Sequence, residues 1–199
     1  MTLLRRYFVT LLTASLPVLA PAQTQAASDA PRVRLSTNQG DVVVELQAKA
    51  APQTVANFLQ YVRDKHYDGL IFHRVIDGFM IQGGGFDAQY RERATRAPIA
   101  HEGREALQRG GARNTVGTIA MARTNDPHSA TAQFFINVKD NAFLDPNTQS
   151  FGYTVFGQVV SGMDVVLKIK SIPTGRGGPF SSDVPRTPVI IQSATVITP

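Results

Sequence analysis

Three polar side chains sit in company that invites chemistry: Arg74, Gln82 and Gln133. Arg74 and Gln82 belong to FHRVIDGFMIQGGGF, residues 72–86, which mixes large apolar side chains with four glycines. An arginine among Phe, Val, Ile and Met is costly unless it is paired or put to use, because an unpaired charge in apolar surroundings loses hydration. The plainer alternative is a solvated arginine on the outer face of a strand. Gln133 and Phe135 are two apart and share one strand face, while Phe134, Ile136 and Val138 share the other. A charged donor beside an apolar pocket is the chemistry this set permits, with Phe79, Met80, Phe135, Phe143 and Leu144 as candidate walls. From spacing alone those walls read more readily as ordinary core.

Conventional catalysis has no visible team. The chain carries no G-x-S-x-G, no H-E-x-x-H, no P-loop and no dinucleotide fingerprint. Its four histidines, His66, His73, His101 and His128, have no ligand spacing, and His73 reads as a hydrogen-bonded strand residue. Cysteine is absent, which excludes thiol catalysis and cysteine-based metal sites. No metal or cofactor is expected.

The elements that must position these residues follow from periodicity. Arg5 and Arg6 precede an apolar run over residues 7–20, closed by Ala20-Pro21-Ala22. That order predicts a secretory signal peptide over residues 1–22, on the ordinary rather than the twin-arginine route. Residues 23–32 then form a flexible lead-in, and 33–199 a single domain. Losing the leader removes two of 20 basic residues and none of the 15 acidic ones, leaving +3, too little to argue for nucleic acid. Val33 and Leu35, then Val42, Val44 and Leu46, alternate around a glycine-containing turn as a hairpin. Pro52 opens a helix whose Val55, Phe58, Leu59 and Val62 form one face. Ser161 and Asp164 are spaced as a helix-start pair ahead of Val165, Val166, Ile169 and Ile172. Further strands are predicted at 71–76, 80–83, 116–122, 133–138, 154–160 and 189–197. Residues 84–114 are expected to wrap as a structured loop. About eight strands with one helix near each end predict a closed barrel capped by two helices, with a β-sandwich as the alternative.

FHRVIDGFMIQGG (72–84), GTIAMAR (117–123), SATAQFFINVKDNAFLD (129–145) and FGYTVFGQVVSGMDVV (151–166) resemble the cyclophilins, nearest to the exported bacterial type. The likeness runs in order from about Val33 to the C-terminus. It implies a mainly β fold, a closed eight-stranded antiparallel barrel capped by two α-helices, and peptidyl-prolyl cis–trans isomerase activity. By the same resemblance Arg74 is the catalytic arginine, with Gln82 orienting its guanidinium. The substrate groove falls on Phe79, Met80, Ala122, Arg123, Gln133, Phe135, Phe143, Leu144 and Tyr153. Arg123, Phe143 and Tyr153 stand where the best-known eukaryotic members have asparagine, tryptophan and histidine. These changes bear on peptide preference and imply weak cyclosporin affinity.

The predicted leader places the protein in the periplasm, or outside the cell where there is no outer membrane, and the expected form is a monomer acting on proline-containing segments of unfolded or partly folded exported proteins, without stable membrane association after signal cleavage. A proline-peptide binding module or chaperone with little catalysis is the competing function. One geometric expectation is sharp. A two-residue loop at Asp77-Gly78 would pair Arg74 with Ile81, whereas a three-residue loop, residues 77–79, pairs Arg74 with Gln82 and puts Met80 on their face. Asp-Gly alone favours the first register; the chemistry needs the second.

Overall fold

The alternating segments form strands, and the inward positions expected in the first hairpin are buried. The computed structural model describes residues 30–197, so the predicted signal peptide and nearly all of the lead-in lie outside the described residues. Strands β1 (Arg32–Thr37) and β2 (Gly40–Leu46) make the expected hairpin, burying Val33, Leu35, Val42, Val44 and Leu46 completely. Its open end is tied by Arg32, whose Nη2 lies 2.7 Å from Glu45 Oε2. Then come β3 (Arg74–Ile76), β4 (Met80–Gly83), β5 (Thr118–Met121), β6 (Phe134–Asn137) and β7 (Val155–Ser161). A hairpin of β8 (Thr174–Gly177) and β9 (Phe180–Pro185) precedes the last strand, β10 (Ile191–Ile197).

Eight strands join in the order β10-β1-β2-β7-β5-β6-β4-β3, while β8 and β9 form a separate two-stranded sheet. The pairings along the large sheet are antiparallel. The two end strands do not form a ladder with each other. Between them run a single bridge, Ile71 to Ile190, and bonds such as Phe72 N–H to the Val189 carbonyl at 2.9 Å. The sheet is therefore a curled, open half-barrel, which corrects the closed barrel expected from the sequence. Pro185 and Pro188 lack N–H donors and so limit any longer ladder ahead of β10.

Helix α1 (Pro52–Arg63) buries the predicted Val55, Phe58, Leu59 and Val62, and Tyr61 as well. Its first turn has no local side-chain cap. Glu102, from the long loop, accepts hydrogen bonds there from Thr54 N–H and Thr54 Oγ1, each at 2.7 Å. A carboxylate at a helix N-terminus meets both the orphan donors and the positive end of the dipole. That loop also contains a six-residue helix, α2 (Gly103–Gln108), too short for its periodicity to be read in advance. Helix α3 (Met163–Lys170) buries Val166 and Ile169, with Val165 and Ile172 packed against the core. The expected Ser161–Asp164 start pair is not used: Ser161 ends β7, and Gly162, at φ 82°, is the N-cap.

Side chains from α1, α3 and the concave face of the sheet make the main core. A second, smaller cluster of Met80, Ala120, Phe135, Leu144 and Val155 lies on the other face of β4, β5 and β6. That outer cluster carries the candidate site.

Candidate active site

The β3–β4 hairpin adopts the register the chemistry needs. Arg74 pairs with Gln82, Val75 with Ile81 and Ile76 with Met80. The loop is therefore Asp77-Gly78-Phe79, closed by Phe79 N–H donating to the Ile76 carbonyl at 3.1 Å. Gly78 takes a left-handed φ of 73°, a conformation that other residues enter at a steric cost. Arg74, Met80 and Gln82 share the outer face, and the alternate residues Val75 and Ile81 are sealed in the core.

Strand β6 continues the surface. Gln82 lies opposite Phe135, and Ala120 of β5 opposite Phe135 on its other side. Met80, Phe135 and Leu144 form a floor less than a tenth exposed. Phe79 and Phe143 stand above it as a stacked pair, ring centres 5.7 Å apart, with Phe143 largely in solvent. Tyr153 meets Phe135 edge-on at 5.5 Å, and the Arg123 guanidinium lies 4.6 Å from the Tyr153 ring centre. Arg123 is held by its own contacts to carbonyls, Nε to Gly152 at 3.0 Å and Nη1 to Thr124 at 2.8 Å. Arg123 and Tyr153, two of the departures from the eukaryotic pattern, are thus one packed unit.

These residues enclose one open cavity of about 420 Å³. It collects Arg74, Phe79, Met80, Gln82, Ala122, Arg123, Gln133, Phe135, Leu144 and Tyr153. Of the residues expected from sequence, Phe143 alone contributes as a rim rather than as lining. A larger cavity of about 520 Å³ near Pro31, Gln47 and Arg109 holds no aromatic side chain, so volume alone does not make it the site.

The polar edge differs from expectation in one respect. Gln82 Nε2 donates to Gln133 Oε1 at 3.1 Å, and no hydrogen bond joins Gln82 to Arg74 among the described residues. A side chain at residue 85 would collide with Gln133, a Cβ there falling 2.6 Å from the amide; glycine makes room for the pair. The guanidinium instead has Asp183 beside it, Arg74 Nε to Asp183 Oδ2 being 3.7 Å.

Sequence reasoning also missed the supports beneath the floor. Asn141 Nδ2 donates to the Phe79 carbonyl at 2.9 Å and to Asn137 Oδ1 at 2.7 Å. Asn137, wholly buried, donates in turn to Thr118 Oγ1 at 2.9 Å and Asn114 Oδ1 at 3.2 Å. Asn114 Nδ2 donates to the Leu144 carbonyl at 3.2 Å and to Asp145 Oδ1 at 3.0 Å. A buried network with its members satisfied is rigid, and here it holds the backbone of one wall residue, Phe79, and one floor residue, Leu144. His73 and Phe86 also line the cavity, with Phe180 from β9. His73 is buried, its Nδ1 has no hydrogen-bond partner, and burial, then the neighbouring Arg74 charge, lower its pKa to about 4. It is therefore neutral at pH 7. The hydrogen-bonded role expected for it is replaced by packing, with Phe180 stacked at 5.4 Å and Phe86 edge-on at 4.8 Å.

Residues 32–196 match the family described as cyclophilin type peptidyl-prolyl cis-trans isomerase/CLD. The chain is 54% identical over 167 residues to peptidyl-prolyl cis-trans isomerase B of Escherichia coli, covering 82% of this chain and 98% of that protein. It is 48% identical over 183 residues to peptidyl-prolyl cis-trans isomerase A of Dickeya dadantii, covering 92% of each. A crystal structure of a cyclophilin from Hirschia baltica superposes with a TM-score of 0.65 at 28% identity, covering 84% of this chain and 73% of that one.

Proposed function

The chain belongs to the cyclophilin type peptidyl-prolyl cis-trans isomerase family, and from that premise we propose that it accelerates X–Pro rotation in folding exported proteins, non-covalently, through Arg74. Rotation about an X–Pro bond breaks amide resonance, a barrier of roughly 18–20 kcal/mol. In the twisted state the prolyl nitrogen regains its lone pair, and the Arg74 guanidinium donates to it. Both planar ground states lack that acceptor, so the contact is made selectively in the transition state. One hydrogen bond from a charged donor contributes about 1.5–3 kcal/mol, a factor of roughly ten to a hundred in rate.

The remaining acceleration comes from holding the ring. Phe79, Met80, Phe135 and Leu144 grip the proline while its carbonyl side swings, and the drier surroundings strengthen the Arg74 contact. Gln82 and Gln133, joined to each other, offer the peptide backbone a fixed polar edge, and backbone groups of Arg123 pair with the extended chain. The observation that carries this reading is the one cavity that places Arg74 beside a closely packed apolar floor.

Its clients are proline-containing segments of unfolded or partly folded exported proteins, met by a monomer in the periplasm. The support is the leader-like start of the chain: Arg5 and Arg6, then an apolar run and Ala20-Pro21-Ala22. Among the described residues no helix is long and apolar enough to cross a membrane. A protease-coupled assay on an X–Pro peptide tests the activity, and acceleration is expected. Peptide binding without acceleration would leave a proline-binding module in its place. Fractionation of cells expressing the full chain, with the mass of the mature N-terminus, tests export.

A further inference from the structure

Strand β9 departs from regular pairing where it passes Arg74. Val184 lies opposite Gly175 and Phe180 opposite Gly177, so three residues of β9 face one of β8 across an irregular ladder. Within that bulge Asp183 has a left-handed φ of 67°, uncommon for a residue with a side chain and tolerated best by Asn and Asp. Bulges re-aim side chains, and this one brings the Asp183 carboxylate to 3.7 Å from Arg74 Nε.

The hairpin that carries Asp183 is anchored at its other end. Phe180 stacks on His73, the residue before Arg74, and meets Phe86 edge-on at 5.1 Å. Tyr90 fills the space over the β8–β9 turn so closely that a Cβ at residue 178 would fall 2.3 Å from its ring. Strand β9 thus holds two consecutive residues of the β3 approach, His73 by stacking and Arg74 by charge. Asp183 lies on the Nε side of the guanidinium at ion-pair distance, 3.7 Å, and none of the three guanidinium nitrogens has a hydrogen-bond partner among the described residues.

We propose that Asp183 is a positioning residue for Arg74: its carboxylate fixes the guanidinium by the Nε edge and turns the Nη edge to the prolyl nitrogen. The inference deepens the isomerase reading and rests on it. Asp183 is not among the residues that line the cavity; it acts through Arg74, limiting the rotamers of a long, partly exposed side chain that would otherwise lose entropy on reaching the transition state.

Asp183→Asn and Asp183→Gly both keep a residue that accepts the left-handed backbone, so the bulge survives in each. Isomerisation of an X–Pro peptide, followed by NMR exchange, should show kcat falling about two- to fivefold in both variants with KM unchanged, the size that a partly exposed ion pair supports. In an Arg74→Ala background Asp183→Asn should cause no further loss, and in the otherwise intact protein it should shift the Arg74 Nε–H resonance. Wild-type kcat in both variants, an unmoved Arg74 resonance, or an equal loss in the Arg74→Ala background overturns the assignment while leaving the isomerase reading intact. A wild-type protein that does not accelerate exchange overturns both.

Discussion

The two faces of strands β4, β5 and β6 carry apolar side chains of similar size and put them to different uses. Inward, Ile81, Ile119, Phe134 and Ile136 meet α1 and the rest of the curled sheet and have no solvent contact. Phe58 of α1 and Phe72 meet the Phe134 ring edge-on, at 5.7 and 6.0 Å. Outward, Met80, Ala120 and Phe135 pack almost as tightly, but against Leu144, Tyr153 and one another, and above them opens the cavity bordered by Phe79, Phe143 and charged side chains. The inner face obtains its dryness from a second layer of structure. The outer face obtains its dryness from its own short cluster, propped from behind by the Asn114–Asn137–Asn141 network. A floor held in this way by its own packing and by the network behind it reduces the ordering that peptide binding requires.

The comparison breaks most directly at neighbouring residues. Phe134→Ala opens a cavity that the inner core cannot fill and should cost about 3–5 kcal/mol in urea unfolding. Phe135→Ala opens a hole that water enters from the groove, and should cost less, about 1–2 kcal/mol, while turnover falls sharply. Equal stability losses in the two variants would erase the distinction between the faces.

His73 joins the two regions, being buried and yet lining the groove. Its folded-state pKa of about 4 lies below the unfolded value of 6.5. Between those values the unfolded chain binds a proton that the folded chain does not, so stability is complete above pH 6.5 and falls as the pH drops towards 4. The loss should reach about 3 kcal/mol over that window. Desolvation lowers His66 and His101 as well, which adds to the loss in the same direction. Denaturant midpoints at pH 7 and pH 5 measure it, and His73→Leu, which strands no polar partner, should flatten the slope.

Asn141→Ala sharpens the comparison from behind the floor. It leaves Asn137 Oδ1 without a donor, at about 1–3 kcal/mol in stability. The Phe79 carbonyl keeps its bond from Val138 N–H at 3.1 Å, so the floor should shift rather than collapse. A raised peptide KM with the inner core unperturbed, seen by NMR, is the expected outcome. A spectrum changed throughout the inner core would mean that the network serves the whole fold.

How much of this was legible follows the same line. All eight strands of the large sheet were predicted, but on two kinds of signal: β1 and β2 alternate with period two, whereas β5 and β6, buried on both faces, read as short continuous apolar runs. The Arg74–Gln82 register was legible from a chemical demand, against the local preference of Asp-Gly for a two-residue loop. Hairpin β8–β9 was not, since Gly175, Gly177 and Gly178 interrupt any pattern and the bulge at Asp183 breaks the alternation. Asp183 meets Arg74 across more than a hundred residues of chain, a contact that no local periodicity encodes. Asn137 and Asn141 carry no local signal in the sequence; only the fold joins them to each other and to Thr118, Asn114 and the Phe79 carbonyl. The open edge between β3 and β10 was hidden for a related reason, because alternation marks a strand without saying which neighbour completes it.

The central claim concerns one side chain, Arg74, whose contact matters only while the peptide bond is twisted. Isomerisation of an X–Pro peptide, measured by NMR exchange with peptide affinity determined on the same samples, separates ground-state from transition-state effects. For Arg74→Ala we expect turnover to fall at least ten- to a hundredfold, with peptide affinity and thermal stability nearly unchanged. A variant that binds several-fold more weakly but turns over bound peptide at the wild-type rate would contradict the account.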